Sequence, residues 1–424
     1  MVPKQLASRD FLWKKDLIFP GMMWLASRMV IWSAMLLLAP LLGMPPGGKA
    51  ATFSWEIFQA WDSIHYRNIA NFGYEYVSDG KGHNIAFFPF FPLIVRGLMS
   101  LGLPFEVAGV LVNNAAFLVA VYCVFFWMKE SCGTKAARWV TAVITWCPPS
   151  LFATVIYTEG LYLLLSTMAL CAFEEGKYSW TALCGAMATA TRPTGIALIP
   201  TFLIAAWREK RSPVAYAAGL ATSTGLILFS IYCALEFNDP LAFVHAQQGW
   251  RATLGFDWLS WWKMLVQIAA GTSNWKHGKI HDPSHPLLFA SIIILGYLLW
   301  RYRHRLDPVK VDFGFAALGF CLWILAGDPL INTVSVLGSA CLLWYLRKQL
   351  PVVTVVYGFC GLGLILASGG TWSLSRIAYG IVSFSIGLGV LLSSHPRWGY
   401  ITLCFFAIVL ASFSVRFAQQ LWVG

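Results

Sequence analysis

The stretch GMMWLASRMVIWSAMLLLAPLLG, residues 21–43, decides the class of this protein. It is apolar enough, and long enough, to cross the hydrocarbon of a bilayer as a helix, which takes about 20 residues. Hydrocarbon offers backbone N–H and C=O groups no partners, so such a run must bond to itself as a helix. Comparable runs recur to the C-terminus. Of the 424 residues, 58% are hydrophobic and only 12% charged, and mean hydropathy is +0.65. That balance excludes a soluble globule and predicts an all-α polytopic membrane protein.

Outward from residues 21–43, the flanks give direction. Lys4, Arg9, Lys14 and Lys15 precede the run and place the N-terminus in the cytoplasm, and a full-length run does not read as a cleavable signal. Pro45-Pro46-Gly47-Gly48 ends the helix and opens a first external loop, about 44–104. Within it, Phe87-Phe88-Pro89-Phe90-Phe91-Pro92 begins a second apolar run, 84–101. Counting that run as interfacial or re-entrant puts Lys129, Lys135, Arg138, Lys177, Arg208, Lys210, Arg211, Arg301–Arg305, Arg347, Lys348 and Arg397 inside. Counting it as a span puts the 129–138 loop and several later ones outside. The positive-inside rule selects the first topology, with about thirteen transmembrane helices, external juxtamembrane helices and one continuous domain over 1–424. A second large external loop, about 236–286, is rich in Trp and suits a shelf at headgroup depth. The net charge of +11 reads as basic loops against anionic lipid, with no nucleic-acid partner. Ten scattered cysteines read as small apolar residues.

This topology gathers the unusual polar residues on one side. Trp61-Asp62-Ser63-Ile64-His65-Tyr66 sits in the first loop, where ionisable side chains beside hydrocarbon mark a functional site. Asp62, His65 and Ile69 share a helix face, with Ser54 expected to cap the helix, Glu56 in its first turn and Gly73 at its end. A carboxylate there suits general-base chemistry, and pairing with Arg67 is the structural alternative. His65 is placed to bond that carboxylate or a substrate hydroxyl. Glu159 stands at the external start of a span, where it caps the helix or meets a sugar hydroxyl. Arg192, in a helix break, and Arg376, at the external start of a late span, either snorkel or grip phosphate. His245, Gln247 and Trp250 offer an imidazole, an amide and an indole suited to carbohydrate. His277, His281 and His285 have helical spacing, but Pro283 and Pro286 break the helix, so no metal is expected.

These residues resemble the PIG-V family, the GPI mannosyltransferase 2 group of membrane glycosyltransferases, and most of all its bacterial members. The likeness rests on Trp61–Tyr66 with Ile69-Ala70 and Gly73-Tyr74, on Ala86–Pro92 and on Tyr157–Leu161. It continues through Ala188–Gly195, Asn238–Phe243, Gln247, Trp250 and Ser375-Arg376. Phe90 stands where the family has Leu, and Ile377 where it has Tyr. The resemblance implies a GT-C glycosyltransferase fold and inverting transfer of a mannose, or another hexose, from a polyprenyl-phosphate donor. The acceptor would be an extracytoplasmic lipid, glycan or protein. Asp62 would be the base, and His65, Tyr66, Glu159, Arg192, His245, Gln247, Trp250 and Arg376 would bind substrate. No cofactor is expected beyond the lipid-linked donor. The setting would be a bacterial inner membrane, or the ER membrane in a eukaryote. The alternative from another class, a lipid or glycolipid transporter or flippase, predicts inverted repeats, which the sequence does not display.

Overall fold

A computed structural model describes residues 4–251 and 255–423, with side chains from Asp16 onward. The side chains of Lys4, Arg9, Lys14 and Lys15, on which the N-terminal orientation rests, lie outside the described set. Among the described residues the chain is helical throughout, broken only by loops, short 3-10 turns and one isolated bridge between Gly255 and Ser368.

Among the described residues, seven helices are long and apolar enough to cross a membrane: Asp16–Leu41, Phe105–Trp146, Pro213–Phe237, Ser284–Arg305, Pro308–Ala326, Asp328–Leu346 and Pro396–Ala418. Phe90–Ser100, Val352–Ala367 and Val382–Ser394 are apolar but shorter. The Phe105–Trp146 segment would be about 63 Å long if straight, twice the hydrocarbon thickness. Gly133, at φ 84° and ψ 163°, breaks it into two helices. The break falls among the basic residues that the sequence placed in a cytoplasmic loop. Lys129 and Arg138 both turn there onto Asp16 of the first helix, at 3.0 and 3.3 Å, so one carboxylate offsets part of a basic corner.

The 84–101 run resolves into a 3-10 turn, Asn84–Ala86, and the Phe90–Ser100 helix. That helix is about 16 Å long, half of what a span needs. Its Pro92 lies in the first turn, where a missing N–H leaves no bond unmade. The 236–286 loop holds the helices Ala242–Gln247, Trp258–Ala270 and Thr272–His277. Trp261 is buried there while Trp258, Trp262 and Trp275 stay exposed, as on a helix lying at an interface. His277 and His285 commit ring nitrogens to the carbonyls of Ser273 and Ile268. All ten cysteines are free.

The main core forms where both parts of the 105–146 segment meet the Glu159–Glu174 and Val382–Ser394 helices. Gly389 lies so close to the Val140 backbone that a methyl group would not fit, the close helix approach that small residues permit in membranes. A satellite cluster of Ile85, Ala86, Phe88, Phe229, Cys233, Ala242, Phe243 and Ala246 fastens the loop that follows the first helix to the start of the 236–286 loop. This joint brings Trp250 over the first loop.

Candidate active site

The helix carrying Asp62 spans Asp62–Phe72, so its start differs from the sequence expectation. Ser54 and Glu56 belong to a separate 3-10 turn, Trp55–Phe58, and Ser54 makes no side-chain cap. Between the two, Gln59 is extended and Trp61 adopts φ 56°, ψ −115°, a conformation costly for a residue with a side chain. The chain therefore turns sharply, and Asp62 becomes the first helical residue. Gly73 ends the helix as expected, at φ 90°, with its N–H bonded to the Ile69 carbonyl.

Asp62 does not pair with Arg67, which reaches Gln59 and Glu106 instead. Its partner is Arg376, 314 residues away: Nη1 donates to Asp62 Oδ2 at 2.6 Å. Arg376 Nε lies 3.7 Å from Glu159 Oε1, and Arg192 Nη1 contacts that same oxygen. Arg192 also donates to Thr158 Oγ1 at 3.3 Å. Four charges thus alternate in a row, Asp62–Arg376–Glu159–Arg192. Glu159 is fully buried, Arg192 and Arg376 are nearly so, and the Asp62 side chain keeps 28% of its surface. Burial of charge is tolerable only with such pairing. The carboxylate at the open end is Asp62.

Aromatic rings and amides set this geometry. The Arg376 guanidinium lies over Phe152 and Tyr157, at 5.3 and 5.2 Å from their centroids. The Tyr157 hydroxyl accepts from the Asp62 N–H and donates to the Ala60 carbonyl, both at 3.3 Å, locking the turn before Asp62. Asn113 donates to the carbonyls of Phe152 and Val155 and accepts from the Gly160 N–H, each at 2.7 Å. Asn114 donates to the Thr154 carbonyl at 2.7 Å. Two consecutive amides thus tie the irregular 148–158 segment to a membrane helix. Sequence reasoning passed over Phe152, Asn113 and Asn114 and gave Tyr157 no role. The signal was there: two adjacent amides inside an apolar run need partners, because a buried unbonded amide costs about 1–3 kcal/mol.

The other candidates divide. His65 stacks on Phe87 with centroids 4.5 Å apart, and Trp250 stands edge-on to both at 5.5 and 5.6 Å, so Trp250 packs on the Asp62 helix one turn after the carboxylate. Tyr66 is buried between Phe87 and Phe91, supporting the helix from beneath. Gln247 Nε2 donates to the Ala86 carbonyl. His245 bonds Asp239 at 2.7 Å, and Tyr76 donates to the same carboxylate oxygen at 2.9 Å. These form a polar seam between the 44–104 and 236–286 loops, with no bond to the Asp62 row. A cleft of about 660 Å³ lined by Gln59, Ile64, Arg67, Asn68, Asn71 and Phe72 lies on the other side of the Asp62 helix. It contains none of the buried charges, so we place the site at the ion row. Among the described residues no group of three His, Cys, Asp or Glu is arranged to hold a metal ion.

Burial pushes the His65 pKa below its ordinary value, and the nearby Asp62 only partly offsets this. The unfolded chain therefore binds the proton more readily, and stability from neutral His65 is complete above about pH 6.5 and lost as pH falls towards the folded pKa. Thermal unfolding measured from pH 8 downward should show a decline below about 6.5 that is shallower in His65→Gln. Equal slopes for the two proteins would remove His65 as the cause.

Residues 30–208 match the family described as mannosyltransferase (PIG-V). GPI alpha-1,6-mannosyltransferase 2 of Cricetulus griseus is 25% identical over 287 residues, which cover 57% of this chain and 57% of that protein. The Homo sapiens protein of the same name is 29% identical over 150 residues, 32% of this chain and 29% of its own length. The chain thus spans little more than half the length of the first relative and under a third of the second. Among solved structures, the oligosaccharyltransferase of Archaeoglobus fulgidus tethered with an acceptor peptide aligns over 96% of this chain and 56% of its own. The TM-score is 0.47 and the identity 11%.

Proposed function

We infer, from the match of residues 30–208 to the PIG-V mannosyltransferase family and from the likeness to GPI alpha-1,6-mannosyltransferase 2, that this chain is a GT-C-type membrane glycosyltransferase that moves one mannose from a polyprenyl-phosphate donor to an acceptor hydroxyl on the extracytoplasmic face. The observation that carries the reading is the ion row. It joins the first external loop to three distant segments and leaves one carboxylate, Asp62, at its open end.

In the proposed step, Asp62 Oδ2 stays bonded to Arg376, and Oδ1 takes the acceptor's hydroxyl proton. The acceptor oxygen bonds to the anomeric carbon as the bond from that carbon to the phosphate oxygen breaks on the opposite face. Configuration inverts, and lipid phosphate leaves with the bonding pair. Arg376 holds the Asp62 carboxylate aimed, and a guanidinium beside the leaving group stabilises the charge that grows there. His65 and Trp250 form an aromatic wall suited to a sugar face. The acceptor is a lipid, glycan or protein reached from outside.

Membranes containing the chain, supplied with radiolabelled polyprenyl-phosphate-mannose, should transfer label into lipid, glycan or protein acceptors. Label no higher than in membranes lacking the chain would sink the reading, and a flippase assay would then decide for transport.

A further inference from the structure

Both arginines that the sequence offered for phosphate are already committed to carboxylates: Arg192 to Glu159, and Arg376 to Asp62 and Glu159. A third guanidinium close by is not. Arg251 follows Trp250, which packs against His65, so residues 250–251 sit beside the Asp62 helix. Its Nη1 donates to Ser368 O at 2.9 Å, to Ser368 Oγ at 2.7 Å and to Gly369 O at 2.5 Å. Those carbonyls belong to the loop leading into Arg376. Gly369 and Gly370 both stand at φ 72°, a turn that residues with side chains rarely adopt. The neighbouring Gly255 N–H bonds the Ala367 carbonyl and reinforces the joint.

Three features set Arg251 apart. No carboxylate pairs with it among the described residues; its bonds all go to neutral oxygens. All of them leave from Nη1, so the parallel N–H groups of Nε and Nη2 have no partner, and neither atom is among those sealed from solvent. That edge of the fork matches two oxygens of a phosphate. Finally, burial and then repulsion from Arg376 hold its pKa below the ordinary arginine range, so an anion between the two cations would relieve both.

We propose that Arg251 is the donor-phosphate contact of this site, its Nε/Nη2 edge gripping the phosphate of the lipid-linked sugar while Nη1 holds the loop that carries Arg376. This rests on the glycosyltransferase reading and deepens it. Arg376 then serves Asp62, and Arg251 serves the leaving group. The site has one cation in excess, which a bound phosphate balances.

The test uses the full chain in phosphatidylcholine nanodiscs, with a polyprenyl phosphate as probe and phosphatidylglycerol as competitor. Wild type should bind the probe, Arg251→Gln should bind it roughly tenfold or more weakly, as for a charged hydrogen bond, and Arg251→Lys should fall between. Ser368→Ala removes one acceptor of the loop clamp but keeps the charge, and should bind like wild type. Equal weakening by Ser368→Ala and Arg251→Gln would assign Arg251 to loop placement alone and overturn the proposal. So would unchanged binding by Arg251→Gln, or displacement of the probe by an equal concentration of phosphatidylglycerol. Failure of wild type to bind the probe would sink the donor reading itself. Binding by wild type with no loss in Arg251→Gln would sink only this inference.

Discussion

Asp62→Asn should reduce sugar transfer by about 10²–10⁴-fold, the usual contribution of a positioned general base, without lowering the amount of folded protein. An amide oxygen still accepts the bond from Arg376, so the ion row keeps its geometry, but it takes no proton at neutral pH. Glu159 continues to balance Arg376 from the other side. The loss should therefore fall on kcat, with donor binding close to wild type. Transfer assays with radiolabelled donor, at matched expression, check this. A variant retaining more than a tenth of wild-type activity would remove Asp62 from the chemistry. A variant that instead loses donor binding would recast Asp62 as a binding group.

The second large effect is on stability. Glu159→Gln removes the anion shared by two guanidiniums while Arg192 and Arg376 remain nearly buried. Breaking a buried ion pair from one side costs about 3–5 kcal/mol, because the remaining charge is stranded away from water. Arg376 keeps Asp62 as an anionic partner, whereas Arg192 keeps no anion, only neutral oxygens such as the Thr158 hydroxyl. The thermal unfolding midpoint in detergent should drop sharply in Glu159→Gln. The double variant Glu159→Gln with Arg192→Gln should recover much of the loss, since the stranded charge is gone. A single variant as stable as wild type, or a double variant worse than the single, would show that the pair is not holding these segments together.

The helical class, the break after residues 21–43, the end of the Asp62 helix at Gly73 and the candidacy of Asp62, Glu159, Arg192 and Arg376 were all legible in the chain. Each is a local property: the length of an apolar run, a Pro-Gly cluster, the conformational freedom of glycine, a charge set against hydrocarbon. The basic corner at 129–138 was legible for the same reason, although its partner, Asp16, was not.

What a side chain faces is a different matter. Sequence put Ser54 at the head of the Asp62 helix, because nothing local announces the positive φ of Trp61 that restarts the chain. It could offer only the nearby Arg67 as the structural alternative for Asp62, yet the partner came from the far end of the chain. Asn113 and Asn114 passed as part of a span, since the carbonyls they satisfy belong to an irregular segment about 40 residues on. His245 and Trp250, five residues apart, ended in different environments once the satellite cluster docked the two loops. Composition and short-range pattern thus determined by themselves that this protein is a helical bundle for the membrane, with acids and arginines at its loop ends. Only tertiary packing decided which acid is buried, which is open and which arginine is left unpaired. Pairing among charges drawn from remote segments depends on how helices pack, and no periodicity in the chain records that.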